Sequence, residues 1–431
     1  MAGGEDMELL DLEVGAVAGG GACVARAPDG KVVFVRHALP GERVRAQVTA
    51  VTTSFLRADA VDILTASADR VAPPCPHAGP GRCGGCDFQH VAPAAQRRLK
   101  EARITEQLAR VAGTERSVVV EAVPGDQAGL GWRSRVRLAV APDGSPGFRR
   151  HRSHGLELVD SCPVASPSVR ATGAFTARWP GVSQLEVATA TPARTGARVR
   201  APAGSEIEAV ISVSPRGRAV PPLPDLPAGV VVRGTVRRPP GAVHASVAGR
   251  TYRVSAGVFW QVHLGAAEAL LEAVLRLVGD CRGAQVVDLY AGAGLFSVPL
   301  AAAVGPDGSV LAVERDARAC ADARHNGAGL ATLRVLRRSV TPDLVRSGIG
   351  RPRVVVLDPA RAGAGTAVMG ALAAHAPTLR RIVSVSCDPS SFARDARVLL
   401  DRGWELQALR ALDIFPMTEH VELVAAFALP T

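Results

Sequence analysis

Cys387 closes an apolar, β-branched run, "IVSVSCDPSSFARD", where a predicted strand gives way to Asp388-Pro389 and a predicted helix. A buried free cysteine is usually a small inert hydrophobe. The carboxyl end of a strand, however, is where open parallel α/β sheets place their chemistry. A thiolate held there could act as a nucleophile. A second group of thiols has a different spacing. Cys75, Cys83 and Cys86 form C-x7-C-x2-C in a loop-like stretch, and Cys162 follows 76 residues after Cys86. Four thiolates suit a tetrahedral zinc or a 4Fe-4S cluster, and spacing alone does not choose between them. Cys23, Cys281 and Cys320 read as core residues.

A third feature is "VVDLYAGAGLFSVPLA", a strand, a glycine-rich turn and a helix. Gly292 and Gly294 let the backbone come close to a ligand. The next predicted strand ends on Glu314, 26 residues after Asp288. A carboxylate there can accept hydrogen bonds from both hydroxyls of a ribose. The third spaced glycine of a dinucleotide site is missing, since Leu295-Phe296-Ser297 follow. That disfavours nicotinamide dinucleotides and leaves room for S-adenosylmethionine. "VVVLDPARAG" places Asp358-Pro359 at another strand end, the acidic-Pro pattern that many adenosylmethionine methyltransferases set beside a substrate base. Enzymes that methylate carbon 5 of cytosine usually carry a cysteine in that loop. Here the loop offers Asp358 and Arg361, and the thiol lies one strand further on.

These residues need a rigid frame. From about residue 257, strands and helices alternate over seven predicted strands, which indicates a doubly wound α/β domain. Residues about 7–64 alternate apolar and polar, with a hairpin signal at Asp29-Gly30. They read as a small five-stranded β-barrel of the oligonucleotide-binding type. Helical periodicity follows the cysteine-rich loop and ends at Gly113, and residues about 118–250 are strand-rich. The chain has 431 residues and a net charge of +10, which favours a polyanionic partner. Arginines at 133, 135, 137, 149, 150 and 152 outline a possible basic track. No apolar run reaches the ~18 residues of a membrane helix, and the acidic N-terminus lacks a signal-peptide core. The expectation is a cytoplasmic protein with no membrane association, where structural disulfides are rare.

Taken together, "FWQVH" (259–263), "DLYAGAGLFS" (288–297), "VLDPARAG" (356–363), "VSCDPSSFARD" (385–395) and "FPMTEHVELV" (415–424) resemble the RNA uracil carbon-5 methyltransferase family of the TRAM-domain type. The resemblance spans almost the whole chain. It implies a TRAM-like barrel over 1–66 and a cysteine-cluster, β-rich RNA-binding part over 67–250. Within that part, the helix at 92–113 packs on the catalytic domain. A Rossmann-like class I methyltransferase domain covers 251–431. It places the nucleophile on Cys387, the general base on Glu422, and adenosylmethionine contacts on Gln261, Tyr290, Gly292, Glu314 and Asp358. It makes Cys75, Cys83, Cys86 and Cys162 ligands of a 4Fe-4S cluster rather than of zinc. The implied partner is RNA, with 23S rRNA ahead of tRNA, and no obligate protein partner is implied. The alternatives are a tRNA enzyme or a non-catalytic RNA-binding protein that keeps the fold. Phe259 is then either a stacking partner for the base or a core residue. Three positions depart from the family pattern: His263 and Leu295 each stand where relatives often have Asn, and Ser339 where an Asp often contacts adenine.

Overall fold

The computed structural model describes residues 8–191, 208–375 and 378–430. Residues 192–207, inside the strand-rich part, and the first seven lie outside the described residues.

The N-terminal strands Leu9–Glu13, Ala22–Arg26, Val32–Arg36, Arg43–Val51 and Phe55–Thr65 form one five-stranded sheet. Period-two alternation sends Val33, Val35, Val44, Ala46 and Val48 into a common core. Gly30 turns the predicted hairpin with a φ of 85°, a conformation glycine adopts without steric cost. The central part is a seven-stranded sheet that runs from the edge strand Thr235–Arg238 to the edge strand Leu156–Leu158. It packs over Leu138, Trp179, Leu185 and Ile211.

The catalytic sheet has eight strands. Five are parallel, in the order Leu333–Arg337, Ser309–Glu314, Gln285–Leu289, Val354–Leu357 and Arg381–Ser386. Val354–Leu357 is buried throughout, as is nearly all of Arg381–Ser386. Helices cover both faces, so these strands read as continuous rather than alternating apolar runs. Glu422–Ala428 then pairs antiparallel with Arg381–Ser386, and Glu405–Asp413 pairs antiparallel with Glu422–Ala428. These are the seven strands expected from the sequence. The eighth, Val120–Ala122, comes from far upstream and pairs with the outer edge of Glu405–Asp413. Arg410 fixes it there by donating to both oxygens of Glu121, at 3.0 and 2.7 Å.

The helix Pro93–Gln107 continues as a π-helical turn, Leu108–Ala112, and stops at Gly113, whose φ is 70°. Ile104 and Leu108 join the core on one face of the catalytic sheet. Lys100 has a fully buried side chain, and its Nζ lies 2.6 Å from Asp413 Oδ1. Breaking such a buried pair by removing one partner costs about 3–5 kcal/mol. The hairpin Ala242–Val247/Arg250–Ser255 shares a core with the helix Ala266–Val278 and the catalytic sheet. The division at 250/251 expected from the sequence falls inside the second strand of this hairpin, Arg250–Ser255.

Candidate active site

A parallel strand brings its last residue to the edge where cofactors sit, and an antiparallel strand brings its first residue to that same edge. This is how Cys387 and Glu422 meet. Ser386 is paired with Leu423, so the next step in register sets Cys387 opposite Glu422. Cys387 lies just past the strand's end, near enough to Glu422 for that carboxylate to raise its thiol. Asp388 caps the helix Pro389–Leu400 by accepting from the Ser391 N–H at 2.8 Å, which fixes the turn that carries Cys387.

Glu422 is 3% exposed and Cys387 is half-buried. Burial pushes the Cys387 thiol up to about 12, with Glu422, Asp358 and Asp388 adding to the rise and Arg361 opposing it. Burial, then the neighbouring Asp358, lifts Glu422 well above the ordinary carboxylate range. Burial also lifts Asp358 to about 7. Carboxyl groups that share a desolvated space cannot all ionise together. Burial and like charge therefore both favour the uncharged forms of Cys387, Glu422 and Asp358.

The order of the strands reverses beside Gln285–Leu289, which has Ser309–Glu314 on one side and Val354–Leu357 on the other. Such a switch point opens a crevice at the strand carboxyl ends. Tyr290, Gly292, Glu314 and Asp358 all lie there. Tyr290 has a φ of 64°, a strained conformation for a non-glycine residue at the start of the turn. No heavy atom lies within 4 Å of where a Cβ on Gly292 would be, so the turn faces open space. The Gly292 N–H donates to Glu314 Oε2 at 3.0 Å, and Glu314 Oε1 accepts from the Asp316 N–H at 2.7 Å. Asp288 is fully buried; one carboxylate oxygen takes the Ser297 hydroxyl and the other has no partner among the described residues. Burial is the main cause that raises Asp288 to about 7.

Gln261 is 5% exposed, on the segment between the hairpin and the helix Ala266–Val278. Phe259, on the same segment, is 67% exposed and is no core residue. It lines a surface cavity of about 300 Å³ with Arg133 and Arg137. Arg135 is a correction to the basic track: it is 7% exposed and donates to the Val258 carbonyl at 2.5 Å. The strand alternation that turns Arg137 outward does not free Arg135, because the 257–262 segment lies across it. His263 is 1% exposed and stacks on Trp132 at 5.6 Å, and its Nδ1 accepts from the Gly265 N–H. Leu295 is buried in the core and Ser339 is exposed.

Cys75, Cys83, Cys86 and Cys162 all line one cavity of about 160 Å³, which Arg133 and Arg137 also border. Among the described residues no group of three or more His, Cys, Asp or Glu side chains is drawn together closely enough to hold a metal ion. Burial raises the Cys83 thiol to about 11 and the Cys86 thiol to about 12. Cys23, Cys281 and Cys320 are buried elsewhere, as expected of core residues.

One contact was only faintly signalled in the sequence. Asp87, beside Cys86, and Glu419, three residues before Glu422, are joined through the Glu419 N–H to Asp87 Oδ2 at 3.2 Å. A second carboxylate inside "FPMTEHVE" was the one available hint.

Among known proteins, a model described as the TRAM domain matches residues 8–61. The chain is 44% identical to an uncharacterized RNA methyltransferase of Streptomyces avermitilis, covering 97% of this chain and 98% of that protein. It is 33% identical to a 23S rRNA (uracil(1939)-C(5))-methyltransferase of Shewanella sp. (strain ANA-3), covering 93% of this chain and 91% of that protein. The crystal structure of Pyrococcus abyssi tRNA (uracil-54, C5)-methyltransferase in complex with S-adenosyl-L-homocysteine shares the fold. It aligns with a TM-score of 0.69 and 23% identity, over 97% of this chain and 99% of that one. With a thiol and a carboxylate opposed beside an Asp-Pro strand end, and relatives aligned over nearly its whole length, the chain belongs to the RNA uracil carbon-5 methyltransferase family.

Proposed function

We propose that this protein methylates carbon 5 of a uridine in structured RNA, with 23S rRNA ahead of tRNA, through a covalent adduct between Cys387 and the uracil. The observation that supports it best is the register that sets Cys387 opposite Glu422 beside Asp358. Carbon 5 of uracil is too weak a nucleophile to attack a methyl sulfonium. Addition of the Cys387 thiolate to carbon 6 turns the ring into an enolate with an electron-rich carbon 5. When bound, S-adenosylmethionine supplies a methyl group on a positively charged sulfur. After transfer, carbon 5 bears both the methyl group and its original hydrogen. Glu422 takes that proton, the carbon 6–sulfur bond breaks, and its electron pair returns to Cys387. Glu422 enters this step as the carboxylate, and its buried setting, which raises its affinity for a proton, then favours the transfer.

Gln261, Tyr290, Gly292, Glu314 and Asp358 would hold the adenosylmethionine. The open turn at Gly292, the anchored Glu314 carboxylate and the unpartnered Asp288 oxygen fit a polar ligand with a ribose. The target base is reached only when flipped out or already unpaired. Phe259, exposed beside Arg133 and Arg137, suits stacking on such a base. The ribosomal preference draws support from the Shewanella relative. The test is to incubate the protein with labelled adenosylmethionine and unmodified transcripts of both RNAs, then map 5-methyluridine by mass spectrometry. Label on uridine in 23S rRNA is expected. Label in tRNA alone would reverse the preference, and label on cytosine would overturn the proposal.

The cysteine cavity is assigned to a 4Fe-4S cluster with a structural role. The four cysteines line one cavity of about 160 Å³, and four thiolates are the usual ligand set of such a cluster. It lies outside the catalytic strands, beside the basic surface that would face RNA. Protein purified without oxygen is expected to be brown and to carry about four irons per chain. Stoichiometric zinc without iron would defeat the assignment.

A further inference from the structure

Glu419 lies in the irregular segment 415–420 that delivers Glu422 to its strand. Its carboxylate is held from the other end of the chain. The backbone N–H groups of Gly20 and Gly21, in a turn of the N-terminal barrel, both donate to Oε2, the second at 3.0 Å. Arg361 donates to Oε1 at 3.3 Å. The cysteine loop adds a second tie: the N–H groups of Asp87 and Phe88 both donate to the Met417 carbonyl at 2.9 Å.

The fit leaves no slack. Gly20 and Gly21 have φ values of 79° and 67°, open to glycine and strained for other residues. A Cβ on Gly21 would stand 2.5 Å from the Cβ of Asp87. Arg361, three residues after Asp358, also faces Asp388 Oδ2 at 3.8 Å, next to Cys387. Glu419, Arg361 and Asp388 thus bind together the three loops that carry Glu422, Asp358 and Cys387. The segment needs this fastening. Met417 sits at a φ of 66°, and no regular ladder holds residues 415–420.

We propose that Glu419 is a positioning residue for the base: the barrel turn, through the Gly20 and Gly21 amides, holds Glu419 and so fixes where Glu422 meets the adduct. The inference rests on the adduct mechanism above. It assigns the barrel a part in chemistry, beyond contact with RNA. A misplaced base slows proton removal from carbon 5 while leaving the earlier addition of Cys387 to carbon 6 intact. The adduct then accumulates. A lesion that merely loosened the fold would slow addition as well, and adduct would be scarce.

The test is Glu419→Ala, assayed for turnover and for RNA-shifted protein on a denaturing gel. Turnover should fall by about tenfold to a hundredfold, the scale on which small misplacements act, with adduct accumulating at steady state. Glu419→Gln keeps an oxygen for the two glycine amides and loses only the charge toward Arg361, so it should recover most of the turnover. Gly21→Ala strikes the same contact from the barrel side and should also accumulate adduct. Wild type and Glu422→Gln run alongside. If wild type shows no turnover or Glu422→Gln no adduct, the adduct mechanism fails and takes this proposal with it. If both behave as expected but Glu419→Ala keeps wild-type turnover, or loses turnover without adduct, the positioning role is overturned.

Discussion

Replacing Cys387 with alanine is expected to abolish methyl transfer while leaving adenosylmethionine binding intact. The thiol stands at the end of the ladder beside Glu422, whereas the glycine turn and Glu314 lie across the strand switch. The loss should be at least about 10³-fold, within the range seen when a covalent nucleophile is removed. Two measurements check it: labelled methyl incorporation into RNA, and calorimetric titration of the cofactor into the variant. A rate near that of wild type would reduce Cys387 to a packing residue. The resting thiol adds a further expectation of direction. With its pKa pushed up to about 12, only a small fraction is thiolate at neutral pH. Adduct formation in a single turnover should therefore quicken as pH rises through the neutral range.

Glu422→Gln should leave the enzyme stalled on its RNA. The substitution keeps the size and hydrogen-bonding capacity of the side chain and removes its ability to take a proton. Addition and methyl transfer precede that need, so the covalent complex should build up to about one per active site. Multiple turnover should fall by at least about 10²-fold, the lower end of what a general base contributes. A denaturing gel with no shifted band, together with normal turnover, would remove Glu422 from this role. Glutamine also relieves the burial of an acidic group that already resists ionisation. The fold should therefore tolerate the change, and an unfolded variant is not expected.

The central strands of the catalytic sheet, such as Val354–Leu357 and Arg381–Ser386, are legible because they are buried and leave apolar runs in the sequence, whereas Leu333–Arg337 and Glu405–Asp413 alternate apolar with polar residues. The eighth strand is not legible. Val120–Ala122 is three residues long, one of them a glutamate, and its place depends on a partner strand nearly three hundred residues later. Cys387 announces itself as a thiol at a strand end. Glu422 does not, since its approach to Cys387 depends on the antiparallel register of its strand, which no local pattern encodes; only the motif it shares with relatives pointed to it. Arg135 shows the opposite limit. Its charge suggests the surface, yet the segment before Gln261 folds over it and supplies a carbonyl to its guanidinium. Periodicity reports which face of a strand a side chain takes, and is silent on what another part of the chain later lays across that face. The contact between Glu419 and the barrel turn belongs to the same class.

The upstream strand at the edge of the catalytic sheet bears on how the chain is made. Glu121 and Arg410, which hold it in place, are separated by 289 residues. On a ribosome that adds about 5–20 residues per second, Val120–Ala122 emerges many seconds before the strand it must join. It waits while the central sheet forms around it. Pairings of such long separation carry a high loop-closure cost and form slowly. That edge of the catalytic sheet therefore closes only once Glu405–Asp413 has been made, and it closes onto a strand synthesised much earlier. Release of the C-terminal half by a protease would leave Glu405–Asp413 with a row of open backbone groups, a template on which copies of that fragment would pair and aggregate.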